Sequence, residues 1–147
     1  MKLAKNALVV VADGEKALLL RNRGAPARIA LEVEEVREAE ETAARTQDLG
    51  TDKPGRFDAG GGQRAAAEQT DWKRRAEEAH IRDLAEALNA RALAEPETDM
   101  VLMLDPRSLG VLRGALSDVA RARVIAEMPG DFIHETVERL SERVAEA

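Results

Sequence analysis

An α/β fold built on a five-stranded mixed sheet is what this 147-residue sequence predicts. Three observations predict it. Two continuous β-prone apolar runs, Ala7 to Ala12 and Asp99 to Leu104, have the character of strands buried on both faces. The apolar spacing changes from every second residue to every third or fourth after residue 63. Short turn signals join the first three strands, whereas helical stretches separate the last two. The element order is β-β-β-α-β-α-β-α.

The first strand is Ala7-Leu8-Val9-Val10-Val11-Ala12, followed by Asp13-Gly14, a strong two-residue hairpin signal. Lys16 to Leu20 returns as its antiparallel partner, and Arg21-Asn22-Arg23-Gly24-Ala25-Pro26 reads as turn chemistry. Ile29, Leu31 and Val33 then alternate with Glu32 and Glu34, as a third, half-exposed strand should. A long helix is expected from about residue 63 to 93, opened by Ala65-Ala66-Ala67 and open to a break near Thr70-Asp71. Its apolar stripe is Trp72, Ala76, Ala79, Ile81, Leu84, Ala85, Leu88 and Ala92. Glu95-Pro96-Glu97 ends it, and Asp99 to Leu104 is the fourth strand. Asp105-Pro106 supplies a side-chain cap and a proline at the first helical position, with Leu109, Leu112, Leu116 and Val119 as the buried face. Arg123 to Met128 is the fifth strand, and Asp131 is expected to cap a last helix facing inward through Ile133, Val137, Leu140 and Val144.

A helical crossover between strands favours parallel pairing with a right hand. A meander followed by two such crossovers gives the spatial order 3-2-1-4-5, with helices on the sheet's faces. This resembles the ribonuclease H-like arrangement. The length suits a single domain over residues 1–147, and no internal repeat is present.

Composition narrows the chemistry. Aromatic residues make up only 2% of the chain, so the core must come from Ala, Leu, Val and Ile. With no cysteine there are no disulfides, thiolate zinc sites or cysteine nucleophiles. A net charge of −6 argues against a general nucleic-acid coat. Charge is unevenly placed, however: Arg45 to Arg75 carries seven basic and five acidic residues, a local balance of +2 that leaves −8 elsewhere. The first residues lack the length and cleavage site of a signal peptide, and no run approaches the roughly 18 apolar residues of a membrane span. A cytoplasmic location and no cofactor are the expectations.

The segment at about residues 42–63 stands apart. From Ala44 to Arg64 it holds five of the chain's ten glycines, both charge signs and almost no large apolar residue. Structureless loops beyond about 12–15 residues are uncommon in compact domains and are usually functional or disordered. At its end, Gly60-Gly61-Gly62-Gln63 permits close approach of a partner, amides at a helix N-terminus favour an anion, and a glutamine can orient water. The plainer reading is a flexible lead-in to the helix. Lys73-Arg74-Arg75 suits phosphates or, more plainly, a solvated helix face. Asp13, Asp99 and Asp105 lie at strand ends where metal-binding carboxylates can sit. A turn accounts for Asp13 and a cap for Asp105, and Asp99 opens its strand at the opposite end, so no metal site is expected. His80 and His134 share no ligand-like spacing, and Ser108 and Ser117 have no adjacent His-Asp arrangement.

Three stretches together carry a resemblance. Ala44-Arg45-Thr46 with Asp48-Leu49-Gly50-Thr51-Asp52-Lys53-Pro54-Gly55-Arg56, then Phe57-Asp58 and Arg64 to Glu68, resemble the central signature of the bacterial host attachment protein family. Pro106-Arg107-Ser108-Leu109-Gly110-Val111-Leu112-Arg113 resembles its second motif. That family is grouped with bacterial relatives of the archaeo-eukaryotic release-factor catalytic domain. The resemblance implies a mixed-sheet domain with a long glycine-rich loop before a long helix. It also implies a Gly-Gly-Gln, here Gly61, Gly62 and Gln63, that promotes hydrolysis of peptidyl-tRNA on the ribosome. The continuation Arg64-Ala65-Ala66-Ala67-Glu68 departs from release factors, and no codon-reading domain is present. Two functions are therefore expected in competition. The first is a ribosome- or tRNA-associated protein in which Arg45, Lys53, Arg56, Arg64, Arg74 and Arg75 meet phosphates. The alternative is a non-enzymatic interaction or regulatory protein required for attachment to host cells. A metal-dependent nuclease rests on fold analogy alone, which does not establish function.

Overall fold

The computed structural model describes residues 1–39 and 62–147. The elements are β1 (Leu8–Ala12), β2 (Lys16–Asn22), β3 (Leu31–Glu38), α1 (Gly62–Ala94), β4 (Met100–Leu104), α2 (Pro106–Ala115), α3 (Asp118–Arg123), β5 (Val124–Pro129) and α4 (Val137–Glu146). The five strands form one sheet in the order β3-β2-β1-β4-β5. β1 pairs antiparallel with β2 and parallel with β4, and β5 lies parallel to β4. This is the expected mixed, ribonuclease H-like order.

Alternation along the central strands sends side chains to two separate cores. Leu8, Val10, Leu19, Leu102 and Leu104 face Ile81, Leu84 and Leu88 of α1 and Leu109 and Leu112 of α2. Val9, Val11, Leu20, Val101 and Met103 face Leu140 and Val144 of α4, together with Leu3, Phe132 and Ile133. Each of these large side chains contributes about 1.5–3 kcal/mol by leaving water. The continuous apolar runs in β1 and β4 are thus explained: both strands are covered on both faces.

Several boundaries differ from the sequence expectation. One helix was expected after Asp105, with Val119 inside, but two are found and Val119 is 47% exposed. The break has a side-chain cause. Ser117 caps α3 by accepting from the Ala120 amide, while Asn89 of α1 accepts from the Ser117 amide and donates to the Ala115 carbonyl. Asn89 thereby satisfies backbone groups that a continuous helix would have bonded internally. The last helix is capped by Thr136, which accepts from the Arg139 amide, and Asp131 plays no capping part. Ile133 is buried ahead of that helix, in the connection from β5. β3 begins at Leu31 and extends to Glu38, with an irregularity in its pairing opposite Leu19 and Leu20. α1 runs unbroken through Thr70-Asp71.

Gly110 gives a direct test of local energetics. It sits inside α2, exposed, and a Cβ there would meet nothing within 4 Å. Gly110→Ala is expected to stabilise the protein by about 0.5–1 kcal/mol through the helix propensity gained, read as a higher urea midpoint.

Candidate functional site

α1 is amphipathic over only part of its length. Ile81, Leu84, Ala85, Leu88 and Ala92 return every three or four residues and are buried. Every residue from Glu68 to Arg75 is exposed, so this half of the helix contributes no side chain to either core. The cause is in the sequence, where Glu68-Gln69-Thr70-Asp71 and Lys73-Arg74-Arg75 leave Trp72 as the one large apolar residue.

The base of this arm rests on the tip of the β1–β2 hairpin. Asp13 shapes that tip, its Oδ1 accepting from the amides of Glu15 and Lys16, both at 2.8 Å. Gly14 lies so close to Glu77 that an added Cβ would stand 2.6 Å from Glu77 Cγ. One turn further along α1, His80 is buried and hydrogen-bonds the backbone at Lys16, while its Nε2 has no partner among the described residues. Burial pushes the imidazole below its ordinary pKa, with the Lys16 bond acting in the opposite direction. Arg107 at the start of α2 adds a long ion pair to Glu78 at 3.9 Å.

The expected site residues fall into three groups. Arg45, Lys53, Arg56 and Gly61 lie outside the described residues, as does nearly all of the loop at about 42–63. Gly62, Gln63 and Arg64 form the first turn of α1. Lys73, Arg74 and Arg75 are exposed on the arm and have no ion-pair partner among the described residues. Gly62, Gln63, Arg64, Arg74 and Arg75 thus lie on one continuous helix.

The carboxylates do not converge. Asp13 shapes its turn, and Asp105 caps α2 by accepting from the Ser108 amide at 3.0 Å. Asp99 pairs with Arg123 at 2.6 Å, before the start of β4 and so at the opposite end of the sheet from Asp13 and Asp105. Among the described residues, no three His, Asp or Glu side chains are placed to hold a metal ion, and no helix is long and apolar enough to cross a membrane. Ser108 and Ser117 serve at helix starts.

Sequence reading missed a polar cluster at the far end of α1. Asn6, Arg21, Arg23, Glu34, Glu95, Pro96, Glu97 and Thr98 line an open depression of about 560 Å³. Arg21 directs all five of its N–H groups inward, to both carboxylate oxygens of Glu34, both of Glu95 and the Asn6 carbonyl. Arg91 joins Glu34 at 2.8 Å. These charges are consumed by one another, so the depression ties β2, β3 and α1 together and leaves its central guanidinium no donor for a ligand. No sequence signal marks it, because its members are scattered over more than seventy residues.

A family model described as "Protein required for attachment to host cells" matches residues 8–144, from β1 almost to the end of α4. No curated protein matches the chain.

Proposed function

The chain belongs to the family of proteins required for attachment to host cells, and from that membership we propose that it supports attachment as a non-enzymatic interaction protein whose contact element is the projecting half of α1. The observation that carries this reading is the bare arm. Eight consecutive exposed residues end in three cations, Lys73, Arg74 and Arg75, that have no ion-pair partner among the described residues. A helix that serves only the core would end, or turn a residue inward, within that distance. The cations suit an anionic partner surface and steer its approach. Asp13, Asp99, Asp105, Ser117 and His80, which sequence reading singled out, are occupied by a turn, an ion pair, caps or burial, which agrees with a role in binding.

A second reading has one observation in its favour. Gly62 and Gln63 stand at the N-terminus of the same arm, so a release-factor-like protein would present them at its leading end, backed by cations for phosphates. The two readings separate by mutation. Reversing Lys73, Arg74 and Arg75 to glutamate is expected to lower attachment of the bacterium to host cells at least about tenfold, a loss of some 1.4 kcal/mol in the governing contact. Protein levels should stay unchanged, because the substituted side chains are exposed. Gln63→Ala should leave attachment intact. Attachment that survives the triple reversal overturns the interaction reading. Loss of ribosome-dependent peptidyl-tRNA hydrolysis in Gln63→Ala would establish the other.

A further inference from the structure

α1 changes character at one residue. Before it, Glu68 to Arg75 are exposed; after it, Ile81, Leu84, Ala85 and Leu88 enter the core. His80 stands at the junction, 5% exposed, as the first buried residue of the arm's base. One side of its ring is tied to the hairpin through the Lys16 backbone. The other side ends in Nε2, shielded from water and without a partner among the described residues. A buried nitrogen with no partner is tolerable on a neutral imidazole, where Nε2 is only an acceptor. It is not tolerable on an imidazolium, where Nε2 becomes a donor carrying charge.

The charged groups around the ring show what protonation would do. The hairpin contributes Asp13, β3 contributes Arg37, and α1 itself contributes Asp83 and, one turn earlier, Glu77. Asp13 and Asp83 draw a proton onto the ring, and Arg37 opposes it. Asp13 Oδ1 is already committed to two hairpin amides. Glu77 is held against Gly14 in a contact with no room for a Cβ. In the packed arrangement none of these carboxylates bonds Nε2, so protonation places an uncompensated charge at the contact, and a shift of α1 on the hairpin relieves it.

We propose that His80 is a pH-responsive pin: neutral, it fastens the base of the projecting arm to the β1–β2 hairpin, and protonated, it releases it. The direction follows from linkage. A released ring takes up a proton near the ordinary imidazole value of about 6.5, whereas the pinned ring resists it. The pinned state is therefore fully favoured above that pH and loses ground as the pH falls below it, until the pinned ring itself titrates. This device lies outside the proposed contact surface and stands whether or not that surface binds a partner.

The chain carries its own reporters, with one tryptophan, Trp72, on the arm and only two histidines, His80 and the exposed His134. Proton NMR of the imidazoles and Trp72 fluorescence anisotropy are to be followed on the full chain from pH 7.5 to 5.5. Wild type should show a downward step in anisotropy that tracks the His80 titration. His80→Asn keeps a donor for the Lys16 carbonyl but cannot titrate, and it should lack the step. His80→Phe keeps the ring volume and should lack it as well, which guards against misfolding of the asparagine variant. Flat anisotropy in wild type, or an undiminished step in either variant, overturns the proposal.

Discussion

Arg21→Met is expected to cost about 3 kcal/mol of stability at neutral pH, near the low end for breaking a buried ion pair. The Arg21 side chain is only 6% exposed, yet its charge is kept: burial opposes it, and hydrogen bonds to Glu95 and Glu34 outweigh that and raise its pKa. Methionine fills the same space but leaves two carboxylates, 30% and 37% exposed, with only Arg91 between them. Partial exposure and the surviving Arg91 pairs hold the loss toward the low end. The pH dependence identifies the cause. Hydrogen bonds to Arg21, working against burial, hold both glutamates below the ordinary carboxylate range. Their contribution is therefore complete above about pH 4.5 and is lost as the pH falls through the lowered values. Urea unfolding of wild type and variant should differ most at pH 7, and the gap should close toward pH 3. A gap that stays constant would mean that the network is not its source.

Asn22→Ala is expected to be of similar size, about 3 kcal/mol, by a different route. Asn22 is fully buried and makes four side-chain hydrogen bonds. Its Nδ2 donates to the Leu3 and Ala4 carbonyls, and its Oδ1 accepts from the Gly24 and Ala30 amides. One side chain thus holds the N-terminal segment and both sides of the β2–β3 connection. Alanine removes all four bonds; the Ala4 carbonyl keeps the Ala7 amide, and the other backbone groups cost about 1–3 kcal/mol each where water cannot replace the lost partner. Hydrogen exchange gives a site-specific check, since the Gly24 and Ala30 amides should lose protection ahead of the rest of the sheet. If they keep their protection while global stability drops, the loss comes from elsewhere.

These two neighbours also show where sequence reading stops. Arg21 and Asn22 were assigned to a turn because charged and amide side chains usually sit in water. They are instead the last two residues of β2, buried because every polar atom in question has a partner brought from elsewhere in the chain. The strands at Val9–Val11 and Val101–Met103 were legible because burial on both faces leaves an uninterrupted apolar run. The sheet order was legible because helical crossovers constrain it. The break between α2 and α3 was not, since it depends on Asn89 reaching across from another helix. At the candidate site, Lys73 to Arg75 could be read locally as a solvated helix face, but the apolar stripe expected to include Trp72 does not reach it, since Trp72 is 38% exposed. His80 could not be assigned from spacing, which gives a helix position but not whether Nε2 has a partner. The two quoted motifs, by contrast, led to the family whose model spans nearly the whole chain.

The unbroken course of α1 has a mechanical consequence. At 1.5 Å per residue, the 33-residue helix is about 50 Å long, and about 27 Å of it precedes His80. Pivoted at that point, the helix acts as a lever: a tilt of about 10° at the base swings the leading turn through roughly 5 Å, a whole helical pitch. A displacement small enough for the sheet to tolerate is thereby magnified where Gly62 and Gln63 begin the helix.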